Sequence, residues 1–177
     1  MHILSALSPN GIVAIVEFPG VLYRSSAEEK IRKYLVEENY VDAVIALPEN
    51  LFFGVSIATC IIVLKKNEPL TQTLFINAGQ FFIKVTNKNK LEESHTQEIL
   101  SIYKKRENLR HICALVDNNT IAKNSYNLSP SSYIEAKDTR EKTDIGALNS
   151  ELKEIVRLQG ILRNEIDMIV QTLEKGA

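Results

Sequence analysis

The chain has few cysteines, no strong charge imbalance and no long apolar run, and each absence excludes a class of protein. Its two cysteines, Cys60 and Cys113, lie far apart without Cys-x-x-Cys spacing, which predicts reduced structural thiols in a cytoplasmic protein. A formal net charge of -1 gives no chain-wide basic signal for nucleic acid. No apolar run reaches the roughly 18–20 residues of a membrane-spanning helix, and no signal-peptide pattern is present, so no membrane partner is expected.

Glycine is also scarce, and the seven glycines are never dense enough to form a phosphate-binding loop. The chain has no Gly-x-Gly-x-x-Gly, Gly-x-x-x-x-Gly-Lys-Ser/Thr or Gly-x-Ser-x-Gly motif. Asp42 and Glu49 flank a predicted strand, but neither has a partner at a spacing typical of general acid–base catalysis. His95 and His111 have no second ligand at metal spacing. We therefore predict no catalytic, cofactor-binding or metal-binding residues within this chain.

Two apolar segments rich in β-branched residues, 41–47 and 59–64, are the most informative part of the sequence. Such continuous runs are typical of strands that are buried on both faces of a sheet. The connection between them contains a proline, a glycine and two adjacent aromatic residues, Phe52 and Phe53. An aromatic pair is unexpected in such a loop unless another group packs on it. This loop is therefore the first candidate for a functional site.

The order of the remaining segments predicts an α/β fold. A strand at 12–16, a helix that begins after Ser25 or Ser26 and stops near Asn39, and a strand at 41–46 suggest one right-handed parallel unit of a three-layer sheet. The strand at 12–16 is almost wholly apolar, so we expect it in the interior. The later segments are predicted as a strand at 74–77, a loop at 79–89, a helix at 92–110 with Lys104, Lys105 and Arg106 on its solvated face, and loops over 115–133.

The last part of the chain differs in kind, because apolar residues follow a heptad spacing over about four heptads. The seam consists of Ile145, Leu148, Leu152, Ile155, Gln159, Leu162, Ile166, Ile169 and Leu173. This pattern predicts a coiled-coil helix rather than a helix packed on a round core. An isolated helix would leave the seam in water, so we expect a partner subunit, a second copy of the chain, or packing against this same chain.

Several blocks of the sequence, taken in order, resemble the modification (methyltransferase) subunit of type I restriction–modification systems. The blocks are YR at 23–24, AEEKIRK at 27–33, LVEEN at 35–39, DAVIALPENLFFG at 42–54, TCIIVL at 59–64, FINA at 75–78, NKNKL at 87–91 and YNLS at 126–129. The LPENLF block is the most specific of them. Together they cover roughly residues 8–135.

The resemblance implies an N6-adenine DNA methyltransferase that uses S-adenosylmethionine and works on DNA with specificity and restriction subunits. In that family the glycine-rich S-adenosylmethionine loop and the Asn-Pro-Pro-Phe tetrad lie upstream of a match to Ser8, and neither occurs here. The chain is therefore expected to be the C-terminal part of the subunit, inactive alone and without bound S-adenosylmethionine. Its fold would be the distal half of a Rossmann-like sheet in residues 1–80, a mixed loop and helix region in 81–142, and the coiled-coil helix in 143–177.

An enzyme that methylates a base must turn it out of the DNA stack into a pocket with aromatic or apolar walls. By resemblance, the loop after Glu49 would form one wall, with Phe53 or Phe52 stacking on the adenine and Asn50 beside them. Adjacent residues at a strand end point opposite ways, so the alternative is that one of the two aromatics belongs to the core. The alternative function is a non-catalytic module whose C-terminal helix docks on a specificity subunit or forms a homodimer.

Overall fold

The computed structural model describes residues 2–66, 71–137 and 144–175, which belong to two compact units, Met1–Lys137 and Asp138–Ala177. The helices are α1 (His2–Ala6), α2 (Ala27–Glu37), α3 (Glu93–Lys105), α4 (Asn118–Lys123) and α5 (Ile145–Lys175), with short 3-10 helices at Pro19–Leu22 and Pro130–Ser132. The strands are β1 (Ile12–Glu17), β2 (Val41–Ala46), β3 (Cys60–Lys65), β4 (Gln72–Asn77), β5 (Ile83–Val85), β6 (Lys88–Lys90) and β7 (Cys113–Asp117). The three-part division at residues 80 and 142 stays a prediction.

Five strands of the first unit form one mixed sheet in the order β1-β3-β2-β4-β7, while β5 and β6 form a separate hairpin. Strand β3 is antiparallel to both β1 and β2, strand β4 is parallel to β2, and β7 is antiparallel to β4. Strands β1 and β2 are parallel, as the predicted strand–helix–strand unit requires, but they are not neighbours in the sheet. Strand β3 lies between them, because the chain reverses direction after β2 and β3 then pairs with β2 on one side and with β1 on the other.

Helices cover both faces of this sheet. On one face, Leu4 of α1, Val36 of α2 and Ile121 of α4 share a core with Phe75 of β4. On the other face, Ile102 of α3 packs in a second core together with the alternate residues of the same strands. Strand β2 is buried on both faces, as its continuous apolar sequence predicted, and most of β4 is buried as well.

Strand β1 lies at an edge of the sheet, although its apolar sequence led us to expect it in the interior. Within the described residues it pairs with β3 alone. Ile12 is 60% exposed, Val16 is 52% exposed and Ala14 is exposed as well, whereas Val13 and Ile15 are partly covered. An apolar sequence indicates that a strand is buried in the complete protein, but it does not indicate whether the residues that bury it belong to this chain. The free edge of β1 is a surface to which another strand can add.

Three other segments also differ from their predictions. Residues 79–89 were predicted as a loop, but they contain β5 and the start of β6. The helix predicted over 92–110 ends at Lys105, because Arg106 adopts a left-handed backbone with a φ of 50°. Residues 115–133 contain the end of β7 and helix α4. By contrast, Asn39 does follow the end of α2 in a left-handed conformation, with a φ of 56°.

Both cysteines are buried, which predicts low thiol reactivity in the folded chain. Burial, together with the nearby Glu17 carboxylate, raises the pKa of Cys60 to about 11, and burial also raises the pKa of Cys113. Because the thiolate is the reactive form, iodoacetamide at pH 8 should leave both thiols unmodified in the native chain. Mass spectrometry should then find both modified after unfolding in urea. Modification of either native thiol at the rate of free cysteine would contradict the packing described above.

Candidate functional site

The loop that joins β2 to β3, residues 47–59, contains both adjacent aromatics and is called the aromatic loop below. It leaves the sheet at the carboxyl end of β2. Since β4 is parallel to β2, the segment that leads into the β5–β6 hairpin leaves the sheet at the same edge. The amide of Ala78 donates to the carbonyl of Ala46 at 2.9 Å and joins the two exits. In open α/β sheets, ligands bind beyond the carboxyl ends of parallel strands, so the topology places the aromatic loop where a ligand is expected.

Short-range hydrogen bonds give the aromatic loop a defined shape. The amide of Asn50 donates to the carbonyl of Ser56 at 3.3 Å, and the amide of Val55 donates to the carbonyl of Phe52 at 3.2 Å. Asn50 and Gly54 have positive φ angles of 52° and 74°, a conformation that asparagine and glycine adopt more readily than other residues. A Cβ atom at Gly54 would have no neighbour within 4 Å, so the glycine serves the backbone conformation rather than close packing.

The β5–β6 hairpin braces the aromatic loop from outside. The side-chain amide of Asn89 donates to the carbonyl of Glu49 at 2.8 Å, and the backbone amide of Asn89 donates to the carbonyl of Asn50 at 3.1 Å. The ammonium group of Lys88 donates to the carbonyl of Phe52 at 3.3 Å. Three hydrogen bonds therefore fix the loop to the hairpin. Sequence reasoning missed this contact because it treated residues 79–89 as a loop.

The two aromatic side chains of the loop differ in exposure. Phe53 is 99% exposed, and Phe52 is 39% exposed, so neither ring lies in the core. Lys88 Nζ lies 6.0 Å from the centroid of the Phe53 ring, within the range of a cation–π contact. Asn50, which precedes the two aromatic residues in the loop, is partly buried. An exposed ring on a braced loop can stack on a planar ligand without first being uncovered.

A second cluster of polar side chains surrounds Asp42, near the opposite end of β2. The Asp42 side chain is fully buried, and its Oδ2 accepts a hydrogen bond from Tyr103 Oη at 2.5 Å. Its Oδ1 lies 2.6 Å from Arg106 Nη1 and 3.2 Å from Lys65 Nζ. Arg106 was predicted on a solvated face but belongs to this cluster. The arrangement holds one carboxylate among three donors from β3, α3 and the residue after α3, which makes it a structural link.

His95 and His111 also have structural roles. His95 Nδ1 accepts a hydrogen bond from the amide of Glu92 at 3.2 Å in the capping box of α3. His111 Nδ1 lies 2.9 Å from the carbonyl of Glu135. Among the described residues, no three His, Cys, Asp or Glu side chains are arranged to hold a metal ion. In the same part of the chain, no helix combines the length and hydropathy needed to cross a membrane.

Helix α5 contains every residue of the predicted heptad seam, and each of its described side chains is exposed. Further exposed apolar residues on the same helix are Val156, Leu158, Ile161, Met168 and Val170. The apolar surface is therefore wider than a strict a and d seam requires. Gln159 lies within it at the one polar seam position. The coiled-coil assignment and the roles of these seam residues stay predictions.

Comparison with known proteins gives consistent matches. The chain matches the family model "N-6 DNA Methylase" over residues 1–142. It is 38% identical over 175 residues to the type I restriction enzyme MpnII methylase subunit of Mycoplasma pneumoniae, across 98% of this chain and 32% of that protein. It is 35% identical over 160 residues to the MjaVII methylase subunit of Methanocaldococcus jannaschii, across 87% of this chain and 28% of that protein.

A solved structure agrees with these matches. The type I restriction-modification system methyltransferase subunit from Streptococcus thermophilus is 42% identical and superposes with a TM-score of 0.70, covering 72% of this chain and 27% of that one. The chain spans about a third of the length of the curated relatives that it matches. These findings confirm the resemblance seen in the sequence. The chain belongs to the N-6 DNA methylase family and is a relative of the methylase subunits of type I restriction enzymes.

Proposed function

We propose that this chain is the distal part of the methylase subunit of a type I restriction–modification enzyme, which methylates adenine at N6 in DNA. The observation that carries the proposal is the exposed Phe53 ring, held on a braced loop at the carboxyl edge of the sheet. A base-modifying enzyme needs such a surface, because its target base leaves the stack and must be held against an apolar or aromatic wall. The family of the chain makes adenine the expected base.

Within this proposal the aromatic loop forms one wall of the adenine pocket. Phe53 stacks on the extruded adenine, since its ring is 99% exposed while that of Phe52 is 39% exposed. Asn50 shapes the turn below the rings through its left-handed backbone and the contact of its carbonyl with Asn89. The residues of this chain thus orient the base and cover one of its faces. The groups that act on the N6 amine are expected in another part of the subunit.

The methyl donor of the complete enzyme is S-adenosylmethionine under this proposal, and it would supply the methyl group. The residues present here do not fit a site for it. The glycines are isolated, and at the β1–α2 junction a Cβ on Gly20 would lie 2.8 Å from Arg24 Nε, so this turn is filled by the arginine rather than open as a cradle. We therefore assign no donor-binding residue and no catalytic residue to this chain.

The sheet itself is proposed to be the distal half of a larger Rossmann-like sheet. The free edge of β1 supports this, because it carries exposed apolar residues on an unpaired strand. In the complete subunit another strand would pair with β1 and cover Ile12 and Val16. This continuation explains why β1 has the sequence of an interior strand.

The test is a methylation assay on the complete subunit that contains this sequence, prepared together with its specificity subunit. After incubation with DNA and S-adenosylmethionine, nucleosides from the digested DNA are separated and identified by mass spectrometry. The proposal predicts N6-methyladenine from the two-subunit complex and none from the 177-residue chain alone. A complex that leaves adenine unmodified, or that methylates cytosine instead, would overturn the proposal.

The exposed apolar surface of α5 is a separate observation, and it supports a second role for the chain. We propose that this helix binds the specificity subunit, in an assembly that also includes DNA and a restriction subunit. A homodimer of the chain through the same helix is the alternative. Both use the seam of apolar residues, so a charge within the seam should prevent either association.

Leu162→Asp is the variant that tests this role. Leu162 is a seam residue near the middle of α5 and is 58% exposed. A carboxylate there would have to be desolvated in any helical interface, so we expect co-purification with the specificity subunit to be lost. Asn164→Asp is the matched control, because it introduces the same side chain two residues away, off the seam. Retained binding by Leu162→Asp, with unchanged mass in light scattering, would rule out the seam as the interface.

A further inference from the structure

The β5–β6 hairpin is positively charged, although the whole chain has a formal net charge of only -1. Between Glu68 and Glu92 the sequence has three lysines and no acidic residue. The lysines are Lys84, Lys88 and Lys90, all of which belong to the hairpin. Lys84 and Lys90 are exposed, and among the described residues neither has an ion-pair partner. This surface is therefore strongly cationic for its size.

The hairpin also has a fixed position relative to the exposed aromatic ring. Lys88 reaches the carbonyl of Phe52 and lies 6.0 Å from the centre of the Phe53 ring. Val85 pairs with Lys88 and Ile83 pairs with Lys90, so Lys88 and Lys90 lie on the same face of the hairpin. Lys88 already contacts the aromatic loop, whereas Lys90, about 7 Å farther along the strand on the same face, is exposed and can reach a phosphate. Lys84 pairs with Asn89 and therefore lies on the opposite face of the hairpin.

We infer that the hairpin binds the phosphate backbone of DNA beside the extruded adenine, with Lys90 as the phosphate contact. This inference rests on the proposed function and adds the surface that holds the strand from which the base is turned out. Stacking rings combined with a neighbouring basic strip are the general means by which proteins hold unpaired nucleic acid. Lys88 acts as a positioning residue, since it connects the hairpin to the aromatic loop.

Salt dependence tests the inference, because each phosphate contact contributes about 0.9 to the slope of log affinity against log salt concentration. The probe is a fluorescein-labelled duplex that contains the recognition sequence, found beforehand by mapping N6-methyladenine in DNA modified by the wild-type complex. Binding is measured by anisotropy with the complete two-subunit enzyme. For the variant Lys90→Gln we expect the slope to decrease in magnitude by about one.

The matched control is Lys104→Gln, which removes the same charge from an exposed position at the end of α3. It should retain the wild-type slope. An unchanged slope for the hairpin variant, or an equal decrease in the control, overturns the inference. The proposed function fails separately, when the wild-type complex produces no N6-methyladenine. A complex that methylates adenine while the hairpin variant keeps the wild-type slope refutes the phosphate contact alone.

Discussion

Asp42→Asn should lower the free energy of unfolding by about 3 kcal/mol. The Asp42 carboxylate is fully buried and faces three donors, Tyr103, Arg106 and Lys65. An amide removes the charge that balances the two cations while leaving them in place. The effect should lie at the lower end of the range for a broken buried ion pair, because Arg106 and Lys65 are partly exposed.

Urea unfolding followed by tyrosine fluorescence suits this measurement. The chain has no tryptophan, and all six tyrosines lie in the unit Met1–Lys137, so the signal reports on that unit. Glu98→Gln is the control, since it neutralises an exposed carboxylate on α3 and should change stability by less than about 0.5 kcal/mol. If Asp42→Asn were as stable as this control, the buried carboxylate would not be the link described here.

The same cluster predicts a loss of stability at alkaline pH. Burial, followed by the hydrogen bond to Asp42, raises the pKa of Tyr103 above its ordinary value of 10. A raised pKa means that the neutral phenol stabilises the folded chain, and that this stabilisation is lost as the pH rises through the raised value. Tyr103→Phe should therefore reduce the alkaline loss. At neutral pH this variant should lose about 1.5 kcal/mol, as expected for one hydrogen bond to a charged group.

Phe53→Ala should weaken binding of the target DNA, or turnover on it, by about 5- to 150-fold in the complete enzyme. The range follows from stacking of one base on one aromatic ring, worth about 1–3 kcal/mol. Since the ring is 99% exposed, its removal leaves no cavity and should not lower the stability of the chain. The loss of function should thus occur with unchanged unfolding by urea. Methylation rates over a range of DNA concentrations give both kinetic constants.

Two further variants determine which ring acts. Phe53→Tyr keeps the aromatic ring and should retain most of the wild-type activity, since stacking depends on the face of the ring and not on the substituent at its edge. Phe52→Ala should have the smaller effect, because Phe52 is only 39% exposed. A larger loss for Phe52→Ala would transfer the stacking role to that ring. Wild-type methylation by both alanine variants would exclude the aromatic loop as a wall of the pocket.

The sequence alone predicted those parts of the fold that depend on local pattern. The buried strands β2 and β3 were identified because burial on both faces requires continuous apolar residues. The neighbour of β1 was not identified. Pairing between β1 and β3 joins segments that are distant in the chain, and local composition does not specify such a pairing. The hairpin was missed because its strands are only three residues long and rich in lysine. The alternation of apolar and polar residues is therefore limited to Ile83, Lys84 and Val85 before the turn at Thr86.

The candidate site was predictable in part for the same reasons. The aromatic pair drew attention because exposed aromatic residues are unexpected between two buried strands. The sequence already favoured Phe53 over Phe52, but the exposure of the Phe53 ring depends on the loop backbone, which is shaped by the left-handed Asn50 and by Asn89 of the hairpin. The Asp42 cluster was invisible, because Tyr103 and Arg106 lie 61 and 64 residues away in the sequence. No spacing rule connects residues at that separation.

The most direct test of the central claim is the fluorescence of 2-aminopurine placed at the target adenine of a duplex bound by the complete enzyme. Emission of this base rises when it leaves the DNA stack, and an aromatic ring stacked on it suppresses the emission again. If Phe53 covers the extruded base, bound DNA should emit more strongly with Phe53→Ala than with the wild type, and Phe53→Tyr should restore the lower level. Equal emission from all three enzymes at saturating binding would contradict the assignment of this loop to the adenine pocket.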